Sequence, residues 1–432
     1  TEKLANWNPY DQNASADFFD PEWMFGITEG FDIVIGNPPY GILNKKQNKA
    51  ESIIVSGEEL EYFKNSKYYE PATGGMLNIF RLFILRSINL LGQNGVFSEI
   101  FPLAFMCDLS ISRLRKHILD NNEIISIEAF PERDNPNKRV FEAAKMSVCI
   151  LNVRRSKNSS PFFIRINSDR YIDINAEKNY LTRAIIDSLD KENCTLPLTS
   201  SFETNLFLKI FSNSIRFSEI GNCSEGEVHM TFCKKSFTDN PQDIKLLKGA
   251  IIDRYQLRTK MSQGEIVYIN EKIIFSLKKN LPRDFKTKER IVSQGITGVN
   301  EPSRLKMMIV KDVYCANSLN YLTLKRNLDL KYLLGIFNSK LLNFIFSKFS
   351  TNSNVNGYEV NNLPIVINSA FVQPINKIVD KILTITKSSD YLENPAKKEE
   401  VKEYERQIDE MVYKLYGLTP KEIEIVENSF NK

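Results

Sequence analysis

Histidine is nearly absent from this chain: only His117 and His229 occur in 432 residues. The six cysteines, at 107, 149, 194, 223, 233 and 315, include no C-x-x-C pair. Together these shortages argue against a zinc site and against a disulfide framework, and they fit a reducing cytoplasm. Cys223, His229 and Cys233 lie close in sequence, but a fourth ligand is lacking, so no metal is expected. No apolar stretch approaches the roughly 18 residues that a membrane span needs. The N-terminus shows no basic-then-apolar signal pattern.

What is present is ordinary for a soluble globular protein: 42% hydrophobic and 25% charged residues, in a chain long enough for two or three domains. The net charge of +4 conceals a segregation. Residues 1–200 carry −3, residues 201–370 carry +9, and residues 371–432 carry −2. A basic block of that kind is the electrostatic footprint of polyanion binding, with a solvated basic surface as the plainer alternative.

The most informative motif is Asn37-Pro38-Pro39-Tyr40, preceded by the apolar run 31–36 and followed by Gly41. A short buried strand runs into a rigid corner. Proline fixes its own φ and pushes the preceding residue to extended geometry. The Asn37 side-chain oxygen and the Pro38 carbonyl are thereby held as two acceptors, the preorganisation that electrostatic catalysis requires. Two fixed acceptors suit a planar amide or exocyclic amine, whose lone pair is delocalised and whose nitrogen needs reshaping rather than a strong base. Tyr40 adds a face on which a base can stack. An N-methyltransferase, first of all one acting on adenine in DNA, is the expectation. A simple turn after a strand is the alternative.

At this point the chain resembles the gamma-class (TaqI-type) N6-adenine DNA methyltransferases. It is most similar to the methyltransferase and target-recognition parts of type IIG restriction-modification enzymes. FDIVIGNPPYG, residues 31–41, matches the family's catalytic motif. Ala16-Asp17-Phe18 looks like its motif III. The resemblance implies that Asp17 and Phe18, with Pro39, contact S-adenosylmethionine. Val140-Phe141 before the apolar run 146–153 resembles the motif that supplies a second stacking aromatic, so Tyr40 and Phe141 would sandwich a flipped adenine. One departure is large. The family's glycine-rich motif I has no counterpart before Asp17, and Gly74-Gly75 is a poor substitute. The expectation is a C-terminal part of a longer protein, inactive alone. Its parent could carry an N-terminal nuclease domain.

The expected fold class is α/β: a partial Rossmann-like methyltransferase sheet, then a mixed α+β target-recognition domain and C-terminal helices. Residues 1–155 would be the C-terminal portion of the catalytic domain, 156–200 a connector, 201–370 the DNA-reading domain and 371–432 helical. Residues 42–75, polar and rich in Lys, Glu and Gly, read as a mobile loop beside the site. Residues 76–91 and 110–119 read as helices, and 96–101, 124–129 and 146–153 as strands. In the second domain, helices are expected near 203–211 and 330–348. The β-like runs there lie at 251–252, 266–269, 273–275, 307–310 and 321–324. Ile408, Met411, Val412, Leu415 and Tyr416 form an amphipathic stripe ending at Gly417.

Arg254, Arg258, Arg290, Arg304 and Lys306 are the side chains expected to touch double-stranded DNA, because arginine reads guanine edges and lysine neutralises phosphate. Two other readings stand beside site-specific adenine methylation: an N-methyltransferase acting on RNA or on protein glutamine, and a DNA-recognition module without activity of its own.

Overall fold

The apolar run at 31–36 forms strand β1 (Phe31–Gly36), but the expected burial does not follow. Ile33 is 68% and Ile35 80% exposed on one face of β1, which lies at one edge of its sheet among the described residues. This computed structural model describes residues 8, 11, 19–46, 52–258, 266–279, 281, 288–299 and 301–431. Asp17 and Phe18, the expected cofactor contacts, lie outside them. Two units are present, residues 1–187 with 191–195, and residues 188–190 with 196–432.

In the first unit, β1 pairs in parallel with β2 (Leu91–Pro102). The sheet continues through β4 (Val148–Arg154), β3 (Glu123–Phe130), β5 (Phe162–Ile166) and β6 (Lys178–Leu181). Strand β4 runs antiparallel to both neighbours, while β3 and β5 are parallel. This is the expected α/β sheet with two reversed strands, β4 inside it and β6 beside β5. The carboxyl ends of β1, β2 and β3 therefore share one edge, where such folds place ligands. Helix α1 (Ile79–Leu90) packs beside β1 and β2 and buries Phe80, Ile84 and Ile88 at four-residue spacing. Helix α2 (Ser112–Asn121) buries Leu114 and Ile118 in the same way.

Two expectations need correcting here. Residues 156–200 are more than a connector, since β5 and β6 extend the sheet from within them. The segment 42–75 is not a bare loop. Its Ile42–Asn44 and Ser52–Ile54 pair in parallel, and Gly57–Asn65 is a helix whose start is closed by a Ser56–Glu59 capping box.

In the second unit, strands β7 (Gly221–Glu225), β8 (Arg290–Gln294), β9 (Met307–Val310) and β10 (Leu319–Leu324) form an antiparallel sheet in the order β7-β10-β8-β9. A second small sheet joins Phe237–Thr238, Val267–Ile269, Ile244–Leu247 and Tyr314–Cys315. Residues 273–275 turn out helical, within Glu271–Leu277, because Asn270 caps that helix through the Ile273 amide. Helix α3 (Ser201–Ser212) forms as expected. The helix expected over 330–348 is two, α4 (Leu330–Asn338) and α5 (Lys340–Phe349), with Ser339 ending one and capping the other. The C-terminal part is helical: α6 (Ser369–Thr386), α7 (Pro395–Leu415) and α8 (Pro420–Asn428). Helix α7 buries Ile408 and Val412 of the expected stripe.

Candidate active site and recognition surfaces

The corner at the end of β1 is built as the residue types demand. Pro38 is buried, whereas Asn37 and Pro39 are exposed at the carboxyl edge of the sheet. Tyr40 folds back over the corner. Its hydroxyl lies 2.7 Å from Asn37 Oδ1 and 2.8 Å from the Ile100 carbonyl. Burial, with the neighbouring Cys149 and Glu99, pushes the phenol well above its ordinary range, so it stays protonated and donates. Chain exit from the corner is fixed by Asn78. Its Oδ1 accepts from the Gly41 amide at 3.2 Å and caps α1 through Phe80. The Ile79 amide bonds the Gly41 carbonyl in return, at 2.9 Å.

Below the corner sits Glu99 of β2, 3% exposed, in register with Gly36. A Cβ placed on Gly36 would stand 3.4 Å from its carboxylate. One Glu99 oxygen accepts from Ser87 Oγ at 2.7 Å, and the other is buried with no partner among the described residues. Burial raises the Glu99 pKa, and the Ser87 hydrogen bond only partly opposes it.

Phe141 meets Tyr40 across 101 positions of sequence, with ring centroids 6.3 Å apart and planes at 60°. It is half-buried on the loop between β3 and β4. Phe80 stands edge-on to Tyr40 on another side, at 6.5 Å. The described residues thus bring together two acceptors and two neighbouring aromatics, which fits the amine-holding half of a methyl-transfer site. Sequence reasoning missed Asn78 and Glu99. An Asn directly before an apolar helical run was the available signal for Asn78. A lone Glu inside an apolar strand was the signal for Glu99.

In the second unit, the five expected DNA contacts are mostly engaged inside the fold. Arg290, 4% exposed, forms a two-pronged pair with Glu227 at 2.9 and 3.1 Å. Arg304, 1% exposed, donates to the carbonyls of Ser350, Asn352 and Asn354 and to Thr297 Oγ1. Arg254 pairs with Glu405 at 3.3 Å, and Lys306 pairs with Glu301. Arg258 is the most open of the five, and it is held by Asp253 at 2.8 Å. The surface offers a different basic group, Lys234 and Lys235, beside Phe232, which is 78% exposed. The His229 ring lies against Phe232, with centroids 4.4 Å apart and planes inclined at 34°. The six cysteines are buried free thiols. No helix among the described residues is long and apolar enough to cross a membrane.

Residues 1–136 match the family model described as Eco57I restriction-modification methylase, and residues 244–365 match the TaqI-like C-terminal specificity domain. The chain is 26% identical to RM.MjaORFECS2P, named as a type II restriction enzyme and methyltransferase, of Methanocaldococcus jannaschii. That alignment covers 91% of this chain and 32% of the relative, so the chain spans about a third of that protein's length. It is 24% identical to the type II methyltransferase M.HincII of Haemophilus influenzae, over 74% of this chain and 69% of the relative. Among solved structures, the type IIL restriction-modification enzyme MmeI in complex with DNA has the same fold. Its TM-score is 0.54 at 12% identity, over 92% of this chain and 57% of that one.

Proposed function

We propose that this chain, which joins an Eco57I-type restriction-modification methylase segment to a TaqI-like specificity domain, serves site-specific methylation of adenine N6 in duplex DNA. The observation that carries the reading is the corner itself: an exposed Asn37 and the adjoining Pro38, with the Tyr40 and Phe141 rings 6.3 Å apart and inclined at 60°.

The target adenine leaves the stack and enters between Tyr40 and Phe141. Its N6 hydrogens are accepted by Asn37 Oδ1 and the Pro38 carbonyl, which favours a pyramidal nitrogen whose lone pair points outward. No general base is required before attack, because the amine loses its extra proton only after the new C–N bond forms. When bound, S-adenosylmethionine supplies an electrophilic methyl group on sulfonium. Pro39, exposed beside Asn37, is the described residue that would border it, and we assign the adenine of that cofactor to Asp17 and Phe18.

We assign DNA reading to residues 201–370, with Phe232, Lys234 and Lys235, and separately Arg258, as its exposed contacts. Aromatic and basic side chains in that combination suit a nucleic-acid surface. The test compares methyl transfer by the full-length gene product to duplex DNA, RNA and a glutamine-bearing peptide. Incorporation into duplex DNA alone supports the reading, and preferential labelling of RNA or peptide overturns it.

A further inference from the structure

The loop that carries Phe141 is clamped from outside its own hairpin. At its base, Ser147 Oγ donates to the Pro131 carbonyl at 2.7 Å. Within the loop, Arg139 donates to the carbonyls of Glu142 and Arg133. The third clamp is Arg170, which lies beyond β5. Its guanidinium donates to the Asn137 carbonyl at 3.0 Å, to the Pro136 carbonyl at 2.9 Å and to the Glu142 carboxylate at 2.7 Å. These contacts bracket Phe141 on both sides in sequence.

Arg170 is itself held by a buried polar anchor. Asn167, fully buried, donates to Glu128 Oε2 at 3.1 Å and accepts from the Asp173 amide at 2.8 Å. Arg165 donates to the Asp173 carbonyl at 3.1 Å. Glu128 belongs to β3, the strand from which the Phe141 loop departs. The segment 167–173 is thus held against the sheet at both ends, and Arg170 reaches the loop from its middle. Buried hydrogen-bonded networks of this kind fix geometry.

We propose that Arg170 is a positioning residue, which holds Phe141 at stacking distance from Tyr40 for the target base. This role rests on the methyltransferase reading of that site. A guanidinium fork spans two carbonyls and a carboxylate at once, which a lysine ammonium cannot do in one plane.

The test has two arms. In the 432-residue chain, hydrogen exchange is measured over residues 132–146 for wild type, Arg170→Lys and Arg170→Ala. Exchange should rise several-fold in Arg170→Ala and by less in Arg170→Lys. Unchanged exchange overturns the clamp. In the full-length gene product, kcat/KM for unmethylated duplex DNA is measured for Arg170→Ala, Phe141→Ala and the double variant. We expect roughly a ten-fold loss for Arg170→Ala, and a double variant no worse than Phe141→Ala, since Arg170 acts through that ring. Additive losses overturn the inference while leaving the methyltransferase reading intact. A wild type that transfers no methyl group to DNA overturns the positioning role together with that reading, and the exchange arm still reports whether the clamp exists.

Discussion

Tyr40 and Asn37 share a hydrogen bond within the motif itself: the phenol oxygen lies 2.7 Å from the Asn37 carboxamide oxygen and 2.8 Å from the Ile100 carbonyl. One phenolic proton faces two acceptors. The carboxamide oxygen therefore keeps lone-pair capacity for an incoming amine. The hydroxyl bonds Asn37, while in the proposed reading the ring supplies the stacking face.

These two roles separate by substitution. Tyr40→Phe keeps the ring and should lower kcat by less than about ten-fold, the worth of one neutral hydrogen bond, with KM for DNA nearly unchanged. Tyr40→Ala removes the stacking face, worth about 1–3 kcal/mol per base, and should raise KM as well. Steady-state kinetics on the full-length gene product distinguish the two. Equal damage from both variants would contradict the division.

Arg304 illustrates what a sequence conceals. At 1% exposure, its guanidinium makes four hydrogen bonds to protein acceptors. Arg304→Ala should cost roughly 3 kcal/mol of stability by leaving buried acceptors unpaired, read as a lower urea midpoint. A variant of unchanged stability with weakened DNA binding would instead make it a DNA contact.

The exposed pair Lys234 and Lys235 carries the complementary expectation. Lys234→Ala/Lys235→Ala should weaken DNA binding across sequences. It should also reduce the slope of log K against log salt by about 2. Fluorescence anisotropy over a salt series gives this value, and an unchanged slope would place the phosphate contacts elsewhere.

Stability should also depend on pH in an unusual direction. Burial raises the Asp409 carboxyl to about 7 and the Glu359 carboxyl to about 7. A folded pKa above the unfolded one means that the native state holds the proton more tightly. These groups therefore favour folding at low pH, and that contribution is lost as pH climbs from the unfolded carboxylate range toward 7. Each contributes at most about 1.4 kcal/mol per pH unit within that window. Asp409→Asn and Glu359→Gln should flatten the fall in urea midpoint between pH 5 and 7.5. Slopes identical to wild type would show that neither group titrates there.

The sequence was legible where chemistry is local. FDIVIGNPPYG announced a strand, a corner and two acceptors, and the corner stands at the carboxyl edge of a sheet, with Pro38 buried and Asn37 exposed. The partnership of Tyr40 with Phe141 followed from motif resemblance, and the topology places both at that edge. Long-range pairing was not legible. Arg290 meets Glu227 across 63 positions, and no local pattern distinguishes such an arginine from a surface one. Residues 273–275 looked like a strand because two isoleucines and a phenylalanine favour one, but the Asn270 cap and tertiary packing outweigh that preference. The Ser56–Glu59 box was readable in the sequence and would have revealed the helix within 42–75.

The most direct test of adenine-N6 chemistry at this corner is product identity. Unmethylated duplex DNA is labelled with methyl-tritiated S-adenosylmethionine by the full-length gene product and by its Asn37→Ala variant, then digested to nucleosides and separated. Label in N6-methyldeoxyadenosine for the wild type, with none above background for Asn37→Ala while DNA binding persists, is the predicted result. Label in a methylated cytosine, or near-normal turnover by Asn37→Ala, would contradict the assignment.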